Sequence, residues 1–243
     1  MIPKKIHYVW FSEEMPPKIQ SYIEGWKKYC PDYEIIRWDA NNFDINSSKW
    51  VRQAVENKKW AFATDYIRFW AVYNYGGIYL DADVEVVKSF NFLLHLPYFL
   101  GMEKTKGLIE AATFGTEPKC TWVKDCLSYY ENRNFEINKN VFDMETAPNI
   151  MLKILKKKYG LLRIKNPAEF NHNSKRIQIL PADYFSPKRW NAKVVTITED
   201  THSIHHFEGS WVNSGHKGFV ANCGIKVLGE KRYLDLLWFI YGG

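Results

Sequence analysis

The fold is decided by residues 61–85, which read AFATDYIRFWAVYNYGGIYLDADVE. Small and apolar side chains recur there with the 3.6-residue period of a helix, which predicts a helix over residues 59–75. Gly76 follows at the position of a helix C-cap, and Gly77 permits a sharp turn. The next three residues, 78–80, predict a short buried strand. The stretch therefore predicts a helix that turns directly into a buried strand.

The predicted strand runs straight into two carboxylates, Asp81 and Asp83. Side chains two residues apart on a strand point to the same side, so these two groups are expected to converge. Close carboxylates in an apolar setting repel each other unless a cation joins them, and such ligands suit Mg²⁺ or Mn²⁺. The pair favours a metal site, although an isolated pair of this kind is more often a solvated turn.

The predicted helix also carries Asp65 and Arg68, which face one way because they are three residues apart. A surface ion pair with no functional role is the simpler interpretation. The neighbouring side chains are small or apolar, however, so the helix is expected to be mostly buried, where unpaired charges are costly. This setting favours a ligand-binding or metal-site role for Asp65 and Arg68.

Upstream of this stretch, the pattern predicts a βαβ unit. Residues 5–11 are rich in β-branched and aromatic side chains, residues 19–26 have helical spacing, and residues 33–38 predict a second strand. Such an opening favours an α/β domain with a mostly parallel sheet and helices on both faces. No linker rich in Pro, Gly or Ser divides the chain, so we expect one domain over residues 1–243.

The composition is that of a globular protein. Of the 243 residues, 46% are apolar and 25% charged, which excludes disordered and collagen-like classes. The 33 Lys and Arg against 27 Asp and Glu leave a net charge of +6, which suits an anionic ligand such as a phosphate. No dense basic block alternates with aromatic residues, which argues against nucleic-acid binding. The four cysteines form no CxxC pair and are expected to be free thiols.

Taken together, these motifs resemble the DXD sugar transferases of glycosyltransferase family 32. That family includes capsular and lipopolysaccharide transferases and fungal mannosyltransferases, and its signature is shared with the clostridial glucosylating toxins. The resemblance is strong over residues 1–103, is weak in the middle of the chain and returns near residues 205–211. The matching segments are IPKKIHYVWF (2–11), AFATDYIR (61–68), YGGIYLDADVE (75–85) and HHFEGSW (205–211).

The resemblance implies a GT-A fold, that is, a single Rossmann-like nucleotide-sugar-binding domain. Residues 1–103 would form the donor-binding half with the DXD motif, residues 104–200 the acceptor region, and residues 201–243 a C-terminal closing segment. Residues 145–149 depart from the Thr-Gly-Pro stretch of the family, with Ala147 in place of Gly.

The resemblance also implies roles for individual residues. Trp10 would stack on the nucleotide base, while Asp65 and Arg68 would hydrogen-bond the donor sugar. The implied catalytic residues are Asp65, Arg68 and Asp83; the implied donor-binding residues are Trp10, Asp65, Arg68, Tyr79, Asp81, Ser210 and Trp211; and the implied metal ligands are Asp81, Asp83 and His206.

A late histidine or acidic residue completes the metal site in many GT-A enzymes. Of the two neighbours, His206 is preferred over His205, because His206 and the residues after it resemble the family pattern better. Glu208 stays open as an alternative ligand. Ser210 and Trp211 match the segment that closes over the diphosphate.

The function implied by the resemblance is a metal-dependent retaining glycosyltransferase. It would use Mn²⁺ or Mg²⁺ to transfer a hexose from a nucleoside diphosphate sugar, with UDP-hexose favoured, to a cell-surface polysaccharide or a lipid-linked glycan. Adjacent Asp81 and Asp83 suit a metal better than the separated acid and base of a glycosidase. The alternative from another class is a non-catalytic nucleotide-sugar or carbohydrate-binding module that retains the fold.

The N-terminal and C-terminal segments are used to predict where in the cell the protein is located. The N-terminus lacks the apolar core of a signal peptide, so nothing there directs the chain to the secretory route. Together with the resemblance, this implies a protein of the bacterial cytoplasm. The longest apolar run, residues 234–241, is too short for a spanning helix. Residues 231–243 place two basic residues before an aromatic amphipathic run, which predicts either a core helix or weak peripheral contact with the inner face of the cell membrane.

Overall fold

The computed structural model describes residues 1–104, 107–189, 192 and 194–208. Residues Met1–Phe207 form one compact unit in which helices and strands alternate. The elements are β1 (Lys5–Val9), α1 (Pro17–Tyr29), β2 (Glu34–Trp38), α2 (Lys49–Glu56), α3 (Trp60–Tyr75), β3 (Gly77–Leu80), β4 (Val84–Val86), β5 (Tyr98–Met102), β6 (Ile109–Thr116), α4 (Thr121–Ser128), β7 (Glu136–Asn138), β8 (Val141–Phe142), α5 (Ala147–Lys158), β9 (Leu161–Arg163), β10 (Ile177–Ile179) and β11 (Ser203–His205).

The central sheet has five strands in the order β2-β1-β3-β6-β5. β1 pairs in parallel with both β2 and β3, with Val9 opposite Trp38 and Ile6 opposite Ile78. β6 is antiparallel to β3 and β5, so four of the five strands run in one direction. The α/β class, with a mixed and largely parallel sheet, is therefore confirmed.

Helices cover both faces of this sheet, as predicted. Side chains alternate along β3, so Ile78 and Leu80 pack on the face covered by α1, whereas Tyr79 packs with α3 on the other face. The α1 face is anchored by Trp26, which is fully buried and donates its indole N–H to the Val84 carbonyl at 2.8 Å. The elements predicted from periodicity, α1, α3 and β1 to β3, are present with ends shifted by up to three residues.

Two glycines make the turn from α3 into β3. Gly76 and Gly77 have φ angles of +63° and +102°, which side chains of L-residues rarely adopt. A Cβ atom on Gly77 would lie 2.7 Å from the Lys5 carbonyl oxygen. Gly77 therefore lets the backbone of β3 approach β1 closely.

His7 on β1 fastens the same turn. Its Nε2–H donates to the Gly76 carbonyl at 2.8 Å, and its Nδ1 accepts the indole N–H of Trp38 at 3.1 Å. Both ring nitrogens are therefore used by the neutral imidazole. Burial lowers the pKa of His7 to about 4.

A separate two-stranded ribbon joins the end of the described chain to the DXD segment. β11 is antiparallel to β4, with Ser203 opposite Val86 and His205 opposite Val84. The ribbon places residues 203–206 beside the residues that follow β3.

Some predictions concern the C-terminal part of the chain. Ser210, Trp211 and residues 231–243 lie outside the described residues, so their closing and membrane roles stay predictions. The single domain over residues 1–243 and its three-part division likewise stay predictions. Among the described helices, none is long and apolar enough to cross a membrane.

Replacing Gly77 by Ala should destabilise the protein by about 2 kcal/mol or more, because alanine strains the positive φ and its Cβ meets the Lys5 carbonyl. Thermal unfolding measures the effect. Gly25→Ala is the matched control, since a Cβ there meets nothing within 4 Å on helix α1 and should stabilise by roughly 0.5–1 kcal/mol. Equal stabilities for the two variants would contradict the tight approach at Gly77.

Removing His7 should change how stability depends on pH. The unfolded state takes up a proton near pH 6.5 and the folded state only near pH 4, so the contribution of His7 to stability is complete above pH 6.5 and falls as the pH drops toward 4. Between pH 8 and pH 5 the wild type should lose about 2 kcal/mol more unfolding free energy than His7→Gln. Urea unfolding at both pH values measures this, and parallel losses in the two proteins would show that His7 is not a buried neutral group.

Candidate active site

The DXD segment lies at the carboxyl end of β3. Asp81 donates its backbone N–H to the Ala112 carbonyl of β6 at 2.9 Å, and its own carbonyl accepts the N–H of Val84 at 3.0 Å in a tight turn. The turn separates β3 from β4 and leaves the Asp81 and Asp83 side chains partly exposed. Carboxyl ends of parallel strands are the usual ligand-binding edge of an α/β sheet.

Arg68 is a buried cation that connects α3 to this edge. Asp65 and Arg68 are only 7% and 6% exposed, and the guanidinium Nη2 lies 2.7 Å from Asp65 Oδ1 and 3.4 Å from Asp81 Oδ1. Its Nη1 donates to the Ala111 carbonyl at 2.7 Å, and the group lies over the ring of Tyr79. Burial acts to lower the pKa of Arg68, but the carboxylates of Asp81 and Asp65 raise it, so the guanidinium stays charged.

The predicted site residues Asp65 and Tyr79 have further partners. Oδ2 of Asp65 accepts the backbone N–H of Ala147, the first residue of α5, at 3.0 Å. Burial raises the pKa of Asp65, and Arg68 and this N–H oppose the shift. Tyr79 donates its hydroxyl to Asp81 Oδ1 at 2.7 Å. The segment with Ala147 in place of the family's Gly thus contacts a predicted donor-binding residue.

The structure brings His205, rather than His206, to the two aspartates. Ligand atoms of Asp81, Asp83 and His205 all lie within 4.8 Å of one another, and His205 Nε2 is 3.6 Å from Asp83 Oδ1. His206 instead stacks on Tyr22 with a 4.7 Å centroid separation.

The predicted ligand His206 therefore lies apart from the group, and its contacts show why. Its Nε2 is 2.8 Å from Glu85 Oε2, and its backbone N–H donates to the Asp83 carbonyl. Neighbouring residues on an extended chain point to opposite sides, so only one of the two histidines can face the aspartates. The alternative ligand, Glu208, stays a prediction.

These three side chains have the donor chemistry of a divalent metal site. Two carboxylates and one imidazole nitrogen suit Mn²⁺, and carboxylates also suit Mg²⁺. Burial acts to lower the pKa of His205, but Glu110 and Asp83 raise it to about 9. A metal would therefore displace a proton from His205 when it binds.

Trp10 lies at the same edge of the sheet, just after β1. Its backbone N–H donates to the Trp38 carbonyl and its indole N–H to the Glu14 carbonyl, so both polar groups are occupied within the loop. The ring is partly exposed. Base stacking by Trp10 stays a prediction.

The roles of two residues in the site were not predicted from the sequence. Ala147 contacts Asp65 through its backbone, which leaves no side-chain signal. Glu110 lies in the buried strand β6 beside His205, with Oε1 3.3 Å from His205 Nδ1. A single acidic residue within the otherwise apolar and small run IEAATFG was the available signal for Glu110.

Comparison with known proteins identifies the part of the chain that contains the DXD segment. Residues 16–100 match the family described as "Glycosyltransferase sugar-binding region containing DXD motif". Inositol phosphoceramide mannosyltransferase 3 of Schizosaccharomyces pombe is 31% identical over 115 residues, which cover 44% of this chain and 31% of that protein. Mannosyl phosphorylinositol ceramide synthase SUR1 of Saccharomyces cerevisiae is 27% identical over 192 residues, or 72% of this chain and 49% of that protein.

The chain thus spans about a third to a half of the length of these curated relatives. Among solved structures, PaToxG Glycosyltransferase is similar with a TM-score of 0.50 at 18% identity, over 64% of this chain and 69% of that chain. This likeness concerns the fold, which is of the predicted GT-A type. Residues 16–100, which include the DXD segment, are thus similar to glycosyltransferase sugar-binding regions that contain a DXD motif.

Proposed function

We propose that the protein is a metal-dependent glycosyltransferase that transfers a hexose from a nucleoside diphosphate sugar. The observation that carries this proposal is the convergence of Asp81, Asp83 and His205 within 4.8 Å, beside the buried Asp65–Arg68 pair. The three side chains would hold Mn²⁺ or Mg²⁺. A bound divalent ion neutralises the charge that develops on a departing diphosphate.

The protein side chains have separate tasks in this proposal. Arg68 is held by Asp65 and by the Ala111 carbonyl, so its planar group has one orientation toward Asp81 and the donor sugar. Asp65 accepts hydroxyl hydrogen bonds from the sugar, and Trp10 offers an aromatic face to the base. The site is thereby built for positioning and charge stabilisation.

Retention at the anomeric carbon is part of the proposal. We infer a front-face reaction, in which the leaving phosphate helps to deprotonate the acceptor hydroxyl, because the nearby carboxylates of Asp65 and Asp81 are engaged by Arg68. NMR of the product's anomeric configuration tests retention. A trapped covalent glycosyl-enzyme adduct would contradict the front-face reaction.

The names of two relatives favour particular candidates for the donor and the acceptor. Two relatives are named for mannosyl transfer to inositol phosphoceramide or for synthesis of the mannosylated lipid, which supports a mannose donor and a lipid-linked acceptor. UDP-hexoses and polysaccharide acceptors remain the alternatives from the sequence. The donor panel should therefore contain GDP-mannose, UDP-glucose and UDP-galactose.

Replacing Asp83 by Asn should abolish most of the turnover. With Mn²⁺ present, nucleoside diphosphate release from the preferred donor should fall at least about 100-fold, because a direct ligand matters more than supporting residues, whose loss costs roughly 10–100-fold. EDTA should have the same effect on the wild type. Circular dichroism checks that the variant is folded.

The two neighbouring histidines supply a matched control. His205→Ala should lose Mn²⁺-dependent release, whereas His206→Ala, which removes only the contacts with Tyr22 and Glu85, should retain it. The reverse result would contradict the ligand set. Donor binding by calorimetry without release from any donor and acceptor would contradict the enzyme and support a non-catalytic binding module.

A further inference from the structure

Glu110 is a buried acid whose surroundings single it out. It lies near the start of β6, a strand whose eight residues are all buried, and it is 2% exposed. A buried carboxylate is unfavourable unless hydrogen bonds or an opposite charge stabilise it. Strand pairing does not require an acid at this position, since the residues around it are small or apolar.

The carboxylate of Glu110 is directed at His205. Its Oε1 accepts the backbone N–H of Ala112 at 2.8 Å and lies 3.3 Å from His205 Nδ1. The opposite ring nitrogen, Nε2, lies 3.6 Å from Asp83 Oδ1. The imidazole thus lies between Glu110 on one side and the DXD carboxylates on the other.

The Ala112 contact fixes this direction. Because the backbone N–H of β6 holds Oε1, the carboxylate cannot turn away from the ring without losing a buried hydrogen bond. The Ala111 carbonyl of the same strand accepts a hydrogen bond from Arg68. Strand β6 therefore contacts both Arg68, which pairs with Asp81, and His205, which pairs with Asp83.

We propose that Glu110 is a positioning residue that orients His205 as a metal ligand. Glu110 Oε1 and His205 Nδ1 are close enough for an ion pair but lack hydrogen-bond geometry. When the ring is neutral, a small rotation would let Oε1 accept the Nδ1–H and leave the Nε2 lone pair facing Asp83. Histidine ligands usually donate their other N–H to such a carboxylate or carbonyl, which fixes the tautomer and increases ligand basicity. This role rests on the proposed metal dependence of the enzyme.

The alternative is a purely structural ion pair between β6 and β11. A structural pair would affect folding but would not act on metal affinity through His205. The metal affinity of the folded protein, measured independently of turnover, distinguishes the positioning role from the structural role.

The experiment is a calorimetric titration of the full chain with Mn²⁺ alone. Glu110→Gln keeps the size of the side chain and removes its charge, and it should weaken Mn²⁺ binding roughly 10- to 100-fold. Thr116→Val is the matched control, since Thr116 is also buried in β6 but lies at the opposite end of the strand, opposite Gly77. It should bind Mn²⁺ within about twofold of wild type.

A double-mutant cycle tests whether Glu110 acts through His205. In a His205→Ala background, Glu110→Gln should cause no further loss of Mn²⁺ affinity, because the group that it orients is absent. Equal losses with and without His205, or unchanged affinity in Glu110→Gln, would overturn the proposal.

Two further outcomes are informative. Failure of the wild type to bind Mn²⁺ would contradict the metal site itself, and with it this role, whereas normal wild-type binding with an unaffected Glu110→Gln would contradict only the role of Glu110. Near-ultraviolet circular dichroism in EDTA checks folding. If Glu110→Gln does not fold, Glu110→Asp replaces it, since the shorter acid keeps the charge but moves away from His205 and should also weaken binding.

Discussion

Burying the guanidinium of Arg68 requires three elements to meet. The group contacts Asp65 on its own helix, Asp81 after β3 and the Ala111 carbonyl of β6. Removing one partner of a buried charge typically costs about 3–5 kcal/mol, so these contacts hold α3 in one rotation against the sheet. The glycine turn fastened by His7 then sets where β3 begins, and the DXD turn follows four residues later.

The charges of the site form two connected groups. Asp65 and Asp81 flank Arg68, and Glu110 and Asp83 flank His205. With His205 protonated, four carboxylates and two cations leave a formal charge of −2, and a divalent ion that displaces the His205 proton would change it to −1. Each aspartate of the DXD pair thus has its own protein cation, and this explains how two carboxylates can lie so close before any ligand arrives.

Much of the fold could be predicted from local pattern, and the site only in part. Helix α3, its glycine turn and β3 follow from residue periodicity, because each is specified by neighbours in sequence. The choice between His205 and His206 depends on the register of β11 against β4, and a shift of one residue exchanges the two faces. Short strands such as β11 carry too few residues to reveal that register.

Contacts between distant segments explain why the rest of the site was not predicted from the sequence. Ala147 meets Asp65 through a backbone N–H, and Glu110 is recognisable only once β6 is known to be wholly buried. In a buried strand the alternation of polar and apolar residues disappears, so no period marks its ends or its inward side. The sequence therefore identified the DXD carboxylates and the Asp65–Arg68 pair but did not identify the roles of Glu110 and Ala147.

The pairing of β11 with β4 also has a consequence for biosynthesis. The two strands are about 120 residues apart, whereas β1, β2 and β3 lie within the first 80 residues. Contacts between distant segments form slowly because a long loop must first close. A nascent chain can thus assemble β1, β2, β3 and helix α3, which carries Arg68, well before His205 leaves the ribosome. An unfinished chain therefore presents Asp81 and Asp83 before His205 has joined them.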